Sequence, residues 1–492
     1  MSGILSHGCV PDDLAVSTVI PIPKGHNLNL TDSANYRGIS LSSMFGKIFD
    51  LIVLKRYADH LFTSELQFGF KAKRSTNMCS MVLKECISYY NSNNSTVYCT
   101  MLDATKAFDR VEYCKLFRQL ITRQIPPAVV RLLMNMYVSH ATRVSWNGIF
   151  SNRISVRNGV KQGGIISPVL FCIYIDGLLN VLAKEKIGCF IGHFFVGALA
   201  YADDIVLLAP TPRAMRTMLK LCDNYANEFN VVFNAKKSKC IVCGCNNNNN
   251  NNALFQSTFY IGGNCIEVVQ QWPHLGHIIT NNLSDTADIQ NRRNSLIGQI
   301  NNVLCYFGKL DPVTKVKLLK AYCSSFYGCE LWDLWDKGVD AFCKAWRQGQ
   351  RSVWKLPYNT HSRFLSILCD DIPIQDEICR RFLSFIHKCI SSDCHIVQFV
   401  AKYSLLFGRM HSVCGRNALY CANQYKFNSN DILNPHFNAN VVTQKCHEQR
   451  FDEDVAVVTM LIELVCLRDN IFTIEGFDNT DINSIIEYIC TA

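Results

Sequence analysis

Residues 194–210 read "FFVGALAYADDIVLLAP". Two adjacent carboxylates, Asp203 and Asp204, stand between two apolar runs. Adjacent carboxylates repel, and burial makes their charged forms costly unless something positive compensates. A tight solvent-facing hairpin would favour Asn-Gly or Asp-Gly, which supply positive φ. The flanks, 196–201 and 205–209, have the length and apolar content of buried strands. On this stretch alone, a solvated acidic tip and a hairpin delivering carboxylates to a divalent metal both remain open. A third carboxylate lies upstream in "VYCTMLDATKAFDRV", residues 97–111. Residues 97–102 predict a buried strand with Asp103 at its C-terminal end, where a lone Asp is ordinarily a helix cap. If that strand lies beside the hairpin, Asp103 joins Asp203 and Asp204. Three carboxylates could then hold two Mg²⁺ ions about 4 Å apart, an arrangement suited to in-line phosphoryl transfer.

Other chemistry-bearing residues are weaker one by one. "RNGVKQGGIISPVLF" places Gln162, Gly163 and Gly164 before an apolar helix, with Ser167 suited to the N-cap and Pro168 to the first turn. The glycines would let backbone approach a ligand closely, with a purely structural use equally open. "VIPIPKG" and "NYRGISL" each set a cation, Lys24 and Arg37, beside a strand-like run. Each is ordinarily a surface charge. With a metal site they could hold a triphosphate.

These residues need a large scaffold. A chain of 492 residues, 49% hydrophobic and 18% charged, is globular and exceeds a single ordinary core. Its net charge of +9 permits a polyanionic partner without requiring one. The 25 cysteines are odd in number and irregularly spaced. They predict free thiols in a reducing compartment, with no zinc-site spacing and no signal-peptide pattern. No membrane span is expected: the apolar run from Ser167 is interrupted by Asp176 and reads as a buried helix. Residues 246–252 are seven consecutive asparagines, which predict a loop. "TFYIGGNCIEVV" predicts a hairpin turning at 262–264. From about 287 the pattern turns helical, with Leu296, Ile300, Val303, Leu304 and Phe307 at helix spacing. Residues 286–356 hold 11 Lys or Arg against 6 Asp or Glu. Such helices could track a nucleic-acid backbone; their tryptophans read as core.

Taken in order, "VIPIPKG", "NYRGISLSSMFGKIFD", "LQFGFKAKRST", "YCTMLDATKAFDRV", "NGVKQGGIISPVLF", "YADDIVLL", "NVVFNAKKSKCIVCG" and "HLGHII" resemble the reverse transcriptases of non-LTR (LINE-type) retrotransposons. The resemblance covers about residues 18–280, and thumb-like helices extend it to about 370. It implies an α+β, right-hand polymerase fold. Fingers and an antiparallel-sheet palm would occupy 1–245, the Asn-rich loop and primer-grip hairpins 246–285, and a basic helical thumb 286–370. A helical C-terminal region, 371–492, has no assigned role.

The resemblance also implies roles. Asp103, Asp203 and Asp204 would be metal ligands for two Mg²⁺ (or Mn²⁺), and Lys24 and Arg37 would contact the incoming triphosphate. Phe108 would lie beneath the sugar and exclude a 2′-hydroxyl, while Gln162 and Gly163 would border nucleotide and template. Lys237 would stand near the triphosphate, Asp109 would be structural, and Leu275 and Gly276 would grip the primer. The implied partners are an RNA template, a DNA primer or nicked target DNA, and dNTPs, with an intracellular location in nucleus and cytoplasm. Relatives commonly carry an N-terminal endonuclease; about twenty residues precede "PIPKG" here. That implies a partial product whose endonuclease another chain would supply. An RNA-directed RNA polymerase and a non-catalytic nucleic-acid-binding relic stay open as alternatives, the former opposed by Phe108 and "YADD".

Overall fold

A computed structural model describes residues 11, 15–25, 28–244, 257–448, 452–469 and 479–491. The asparagine tract lies outside them. The chain forms two compact units, Met1–Cys79 with Asn94–Gln270 and Ser80–Asn93 with Gln271–Ala492. The boundary at 270 differs from the divisions expected at 245 and 285, and residues 371–492 fall in one unit with the basic helices before them.

In the first unit, β1 (Val16–Pro23) and β2 (Tyr36–Leu41) form an antiparallel hairpin with Ile22 opposite Arg37. Helix α1 (Met44–Arg56) follows, then α2 (Thr76–Ser92), which belongs to the second unit from Ser80 onward. Next come β3 (Val97–Leu102), α3 (Tyr113–Thr122), α4 (Pro127–Val138) and β4 (Ala141–Trp146), which pairs in parallel with β1. Two short strands, β5 (Ile149–Phe150) and β6 (Ile154–Ser155), complete that sheet. Helix α5 (Ser167–Lys184) leads to the small hairpin β7 (Phe190–Ile191) and β8 (Phe194–Phe195).

The central sheet uses β3 together with β9 (Ala198–Tyr201), β10 (Asp204–Ala209), β11 (Lys239–Cys243), β12 (Phe259–Ile261) and β13 (Asn264–Val269). Helix α6 (Pro212–Phe229) connects β10 to β11. The strand order is β12-β13-β11-β3-β10-β9. Every pairing is antiparallel except β11 with β13, which is parallel. Val97–Leu102 is buried at every position, as expected of a strand covered on both faces. The hairpin expected in "TFYIGGNCIEVV" forms around Gly262 and Gly263, at φ 55° and 73°. Both central residues of such a turn need positive φ, hence the glycines.

Helix α5 is the one described helix long and apolar enough to cross a membrane, with mean hydropathy 1.4, yet 61% of it is buried within the protein. Asp176, which interrupts its apolar run, is buried against Arg123 at 2.7 Å and accepts from the Ser64 amide at 2.7 Å. Ser167 is not the N-cap. The helix begins at Ser167 with Ile166 as its cap residue. The Asp50 carboxylate on α1 accepts the Ile166 amide at 3.4 Å, so the cap comes from a remote helix. Burial pushes Asp50 up to about 6, against the pull of that amide and of Lys161.

The second unit holds the hairpin β14 (Gln271–His274) and β15 (His277–Thr280), then α7 (Thr286–Phe307), α8 (Pro312–Cys323) and α9 (Lys337–Trp354). Further helices run from Ser362 to Thr491. Leu296, Ile300 and Val303 face the core, whereas Phe307 is exposed. Trp332, Trp346 and Trp354 are buried, but Trp335 is 61% exposed. The last turns of α2 are fixed here by two buried charges. Lys84 donates to Asp285 at 2.6 Å and to the Leu331 carbonyl at 2.7 Å. Glu85 accepts from the Ser404 hydroxyl at 2.6 Å and the Cys414 amide at 3.1 Å. A buried ion pair endures when its remaining valences are satisfied. No disulfide joins the cysteines whose side chains are described.

Candidate active site

Strand β3 ends at Leu102, and β10 pairs with it so that Ile205 lies opposite Leu102. One step further, the ladder carries Asp204 to the level of Asp103. Asp203 sits in the β9–β10 turn, where Ala202 adopts a left-handed φ of 58°. The three carboxylates therefore meet at one end of the central sheet.

Burial raises the Asp203 pKa and repulsion from Asp103 adds to it, while its own backbone amide and the Arg37 guanidinium oppose the rise. Burial, then repulsion from Asp203 and Asp103, pushes Asp204 up to about 6, although the residue retains substantial exposure. Among the described residues, no group of three or more His, Cys, Asp or Glu side chains is gathered closely enough to hold a metal ion by itself. Three neighbouring carboxylates with little compensating charge nevertheless fit a hard divalent cation that completes its shell with water and phosphate oxygens.

The Asp103 backbone is held from the segment before β11. Its amide donates to the Ser238 hydroxyl at 3.1 Å, and its carbonyl accepts the Asn234 amide at 2.8 Å. The same segment carries Lys237, which is exposed. Neither Ser238 nor Asn234 stands out in the sequence. Phe108 lies in a short 3-10 turn after Asp103 and stacks on Phe171, with ring centroids 4.9 Å apart.

Gln162 and Gly163 dock on β2. The Ser40 amide donates to the Gln162 carbonyl at 2.6 Å, and a Cβ on Gly163 would meet the Ser40 carbonyl at 2.7 Å. At φ 112°, Gly163 has a structural use in its own chain, one of the two readings the sequence left open. The Gln162 amide donates to Asp109 at 3.3 Å, which ties the loop to the turn bearing Phe108. Beside it, a cavity of about 230 Å³ is lined by Ser40, Asp109, His140, Lys161 and Gln162, among others. Lys24 follows β1 at the same end of the hairpin as Arg37, and its ammonium donates to the Ala34 carbonyl at 2.7 Å. The structure thus brings Asp103, Asp203, Asp204 and Arg37 into electrostatic contact, with Lys237, Phe108, Gln162 and Gly163 on segments bonded to that end of the unit.

Leu275 and Gly276 belong to the second unit. They form the β14–β15 turn at φ 46° and 80°. The Tyr327 hydroxyl donates to the Leu275 carbonyl at 2.8 Å, and Arg292 donates to the Gly276 carbonyl.

A sheet that gathers carboxylates at a strand end and an adjoining hairpin suits divalent-metal chemistry on phosphates, and comparison with known families gives the class. The family described as "Reverse transcriptase (RNA-dependent DNA polymerase)" matches residues 22–279. The chain belongs to the reverse transcriptase family, whose members depend on a divalent metal. It is 26% identical over 281 residues to the Pol polyprotein of the type-2 retrotransposable element R2DM of Drosophila melanogaster, covering 56% of this chain and 26% of that protein. It is 25% identical to the RNA-directed DNA polymerase of the mobile element jockey of Drosophila funebris, covering 68% and 37% respectively. The chain therefore spans between a quarter and two fifths of the length of these relatives. Among solved structures, a telomerase from Candida tropicalis is similar at 11% identity and a TM-score of 0.41, covering 98% of this chain and 65% of that one.

Proposed function

We propose that this chain is the polymerase of a non-LTR retrotransposon, extending a primer 3′-hydroxyl with dNTPs on an RNA template. The observation that supports the reading is the β3–β10 register, which sets Asp204 level with Asp103 and puts Asp203 in the adjoining turn. Asp103, Asp203 and Asp204 would hold two Mg²⁺, with Mn²⁺ compatible with the same oxygen donors. When bound, such ions lower the pKa of the attacking hydroxyl and neutralise charge on the leaving pyrophosphate.

The protein's residues do the rest. Arg37 and Lys24 pair with triphosphate oxygens, Lys24 by exchanging its Ala34 carbonyl for phosphate. Lys237 adds positive charge near the departing pyrophosphate. Phe108, braced by Phe171, fills the space a 2′-hydroxyl would need. Gln162 and Gly163 border the nucleotide and template, and Leu275 and Gly276 hold the primer strand. RNA, a DNA primer or nicked target DNA, and dNTPs are the partners. The protein works inside the cell, in nucleus and cytoplasm.

Primer extension on poly(rA) with oligo(dT), with and without Mg²⁺, tests the reading. The parent should extend in a metal-dependent manner. Asp203→Asn should lose well over about tenfold in rate, because the metals carry the charge stabilisation. Equal rates for parent and variant would refute the assignment.

A further inference from the structure

The stretch "LQFGF", residues 66–70, contributes to the resemblance but has no residue with an assigned role, yet its side chains and backbone reach the catalytic turn. The backbone of 66–68 runs beside β9: the Phe68 amide donates to the Ala200 carbonyl at 2.7 Å, and the Ala200 amide to the Leu66 carbonyl at 2.9 Å. This docks Gln67 beneath the turn with no exposed surface. Its Oε1 accepts the Ala202 amide at 2.9 Å and the Gly69 amide at 2.9 Å, while its Nε2 donates to the Ala202 carbonyl at 3.4 Å. Both polar backbone groups of Ala202 are thus taken by one buried side chain.

Ala202 is the residue that most needs holding. An L-residue at φ 58° is in the left-handed region, where Cβ crowds the backbone. The turn also carries Asp203 and Asp204, whose mutual repulsion favours any conformation that separates them. Ala202 is itself buried, so without Gln67 its amide and carbonyl would lose their partners away from water. The fit is close on the other side as well. A Cβ on Gly69 would lie 2.5 Å from the Ala202 nitrogen, so a side chain there would push the turn away. The loop is stiffened in turn by Arg74, which donates to the Glu65 and Gln67 carbonyls at 2.9 and 3.1 Å.

We infer that Gln67 is a positioning residue for the reaction: its amide clamps Ala202 in the left-handed conformation and so fixes where Asp203 and Asp204 point. The inference rests on the polymerase reading for its kinetic consequence, but not for the clamp itself. Displacing a reacting group by about 1 Å can cost on the order of a hundredfold in rate.

The test uses the full chain with Gln67→Met, which keeps the volume and removes every hydrogen bond, alone and combined with Ala202→Gly. Glycine adopts positive φ without help, so it relieves the need for the clamp. Gln67→Met should lower kcat for primer extension at least about tenfold while KM for primer-template stays within about twofold. The Gln67→Met/Ala202→Gly protein should regain most of that kcat, compared with Ala202→Gly alone. Hydrogen exchange supplies a readout independent of catalysis. In Gln67→Met the Ala202 amide should lose protection while the Phe68 and Ala200 amides keep theirs. Unchanged kcat, or a loss that glycine does not restore, would overturn the positioning role. If the parent itself extends no primer, the polymerase reading fails, and exchange still decides the clamp: an Ala202 amide equally protected in parent and variant overturns it.

Discussion

If Asp203 and Asp204 are adjacent for the sake of a metal, the metal-free protein should be strained by them. Asp204→Asn should therefore stabilise the fold when divalent ions are chelated. The Asp204 pKa is raised from 3.8 to about 6 by burial and by Asp203 and Asp103. At about 1.36 kcal/mol per pKa unit, the ionised carboxylate would cost up to about 3 kcal/mol. Asp204 keeps more than a third of its surface open to water, and solvent screening reduces this to about 1 kcal/mol. The sign follows from the raised folded pKa. Folded protein with Asp204 protonated bears no penalty below pH 3.8, and the penalty is complete above about pH 6.

For a domain of about 250 residues, about 1 kcal/mol moves Tm by about 2–4 °C. Thermal unfolding in EDTA should show Asp204→Asn melting about 3 °C above the parent at pH 7.5, with the gap closing as pH falls toward about 4. Saturating Mg²⁺ should reverse the order, since a ligand at about 100 Kd adds about 2.7 kcal/mol to the state that binds it. A variant that melts below the parent in EDTA at pH 7.5, or whose advantage ignores pH, would refute the reasoning.

Replacing Phe108 by Val should open the space beneath the sugar and lower the ratio of dGTP to GTP incorporation efficiency; an unchanged ratio would remove Phe108 from that role and favour the RNA-polymerase alternative. A cleft of about 690 Å³ between α7 and α9 is lined by Arg293, Lys344, Arg347, Arg351 and the exposed Tyr358, with no carboxylate among its lining. Changing Arg293, Lys344 and Arg347 together to Gln should weaken duplex binding and reduce the slope of log K against log salt by about 2, somewhat below the roughly 0.9 per phosphate contact because Asp340 already pairs with Lys344 at 2.8 Å and Arg347 at 3.4 Å. An unchanged slope would place the duplex elsewhere.

What could be read from the sequence was local. The strands around "YADD" and the strand before Asp103 announce themselves by apolar runs of strand length, and α7 by its 3.6-residue spacing. The Gly262–Gly263 turn follows from the φ that such hairpins demand. Features made by distant partners were hidden. Ser167 carries every local mark of an N-cap, but Asp50 supplies the hydrogen bond to the start of α5 from 116 residues away. Gln67 and Ser238 each reach a carboxylate-bearing segment across 135 residues, and nothing in their own neighbourhoods signals it. The parallel β11–β13 pairing is equally silent, because strand direction depends on the connection and not on the strand's own pattern. The boundary at 270 was hidden for the same reason: Lys84 and Glu85 choose their unit through side-chain partners some 200 and 320 residues away.

These silent contacts share a purpose. The carboxylates are placed where the chain would not leave them unaided: two are adjacent and repelling, and one follows an Ala in a left-handed conformation. Each is secured through backbone, and these bonds leave the carboxylate oxygens uncommitted. Gln67 takes the amide and carbonyl of Ala202, Ser238 and Asn234 take those of Asp103, and the β9–β10 ladder holds Asp204 opposite Tyr201. Side chains that grip backbone can position a carboxylate without neutralising it. A cation in those places would lower the repulsion and also compete with the metal for the same oxygens. Arg37 is the cation that acts on Asp203, and it comes from the β1–β2 hairpin, where it can pair with a triphosphate instead. On the proposed function, this arrangement would keep negative charge uncompensated until a metal and a nucleotide supplied the balance together.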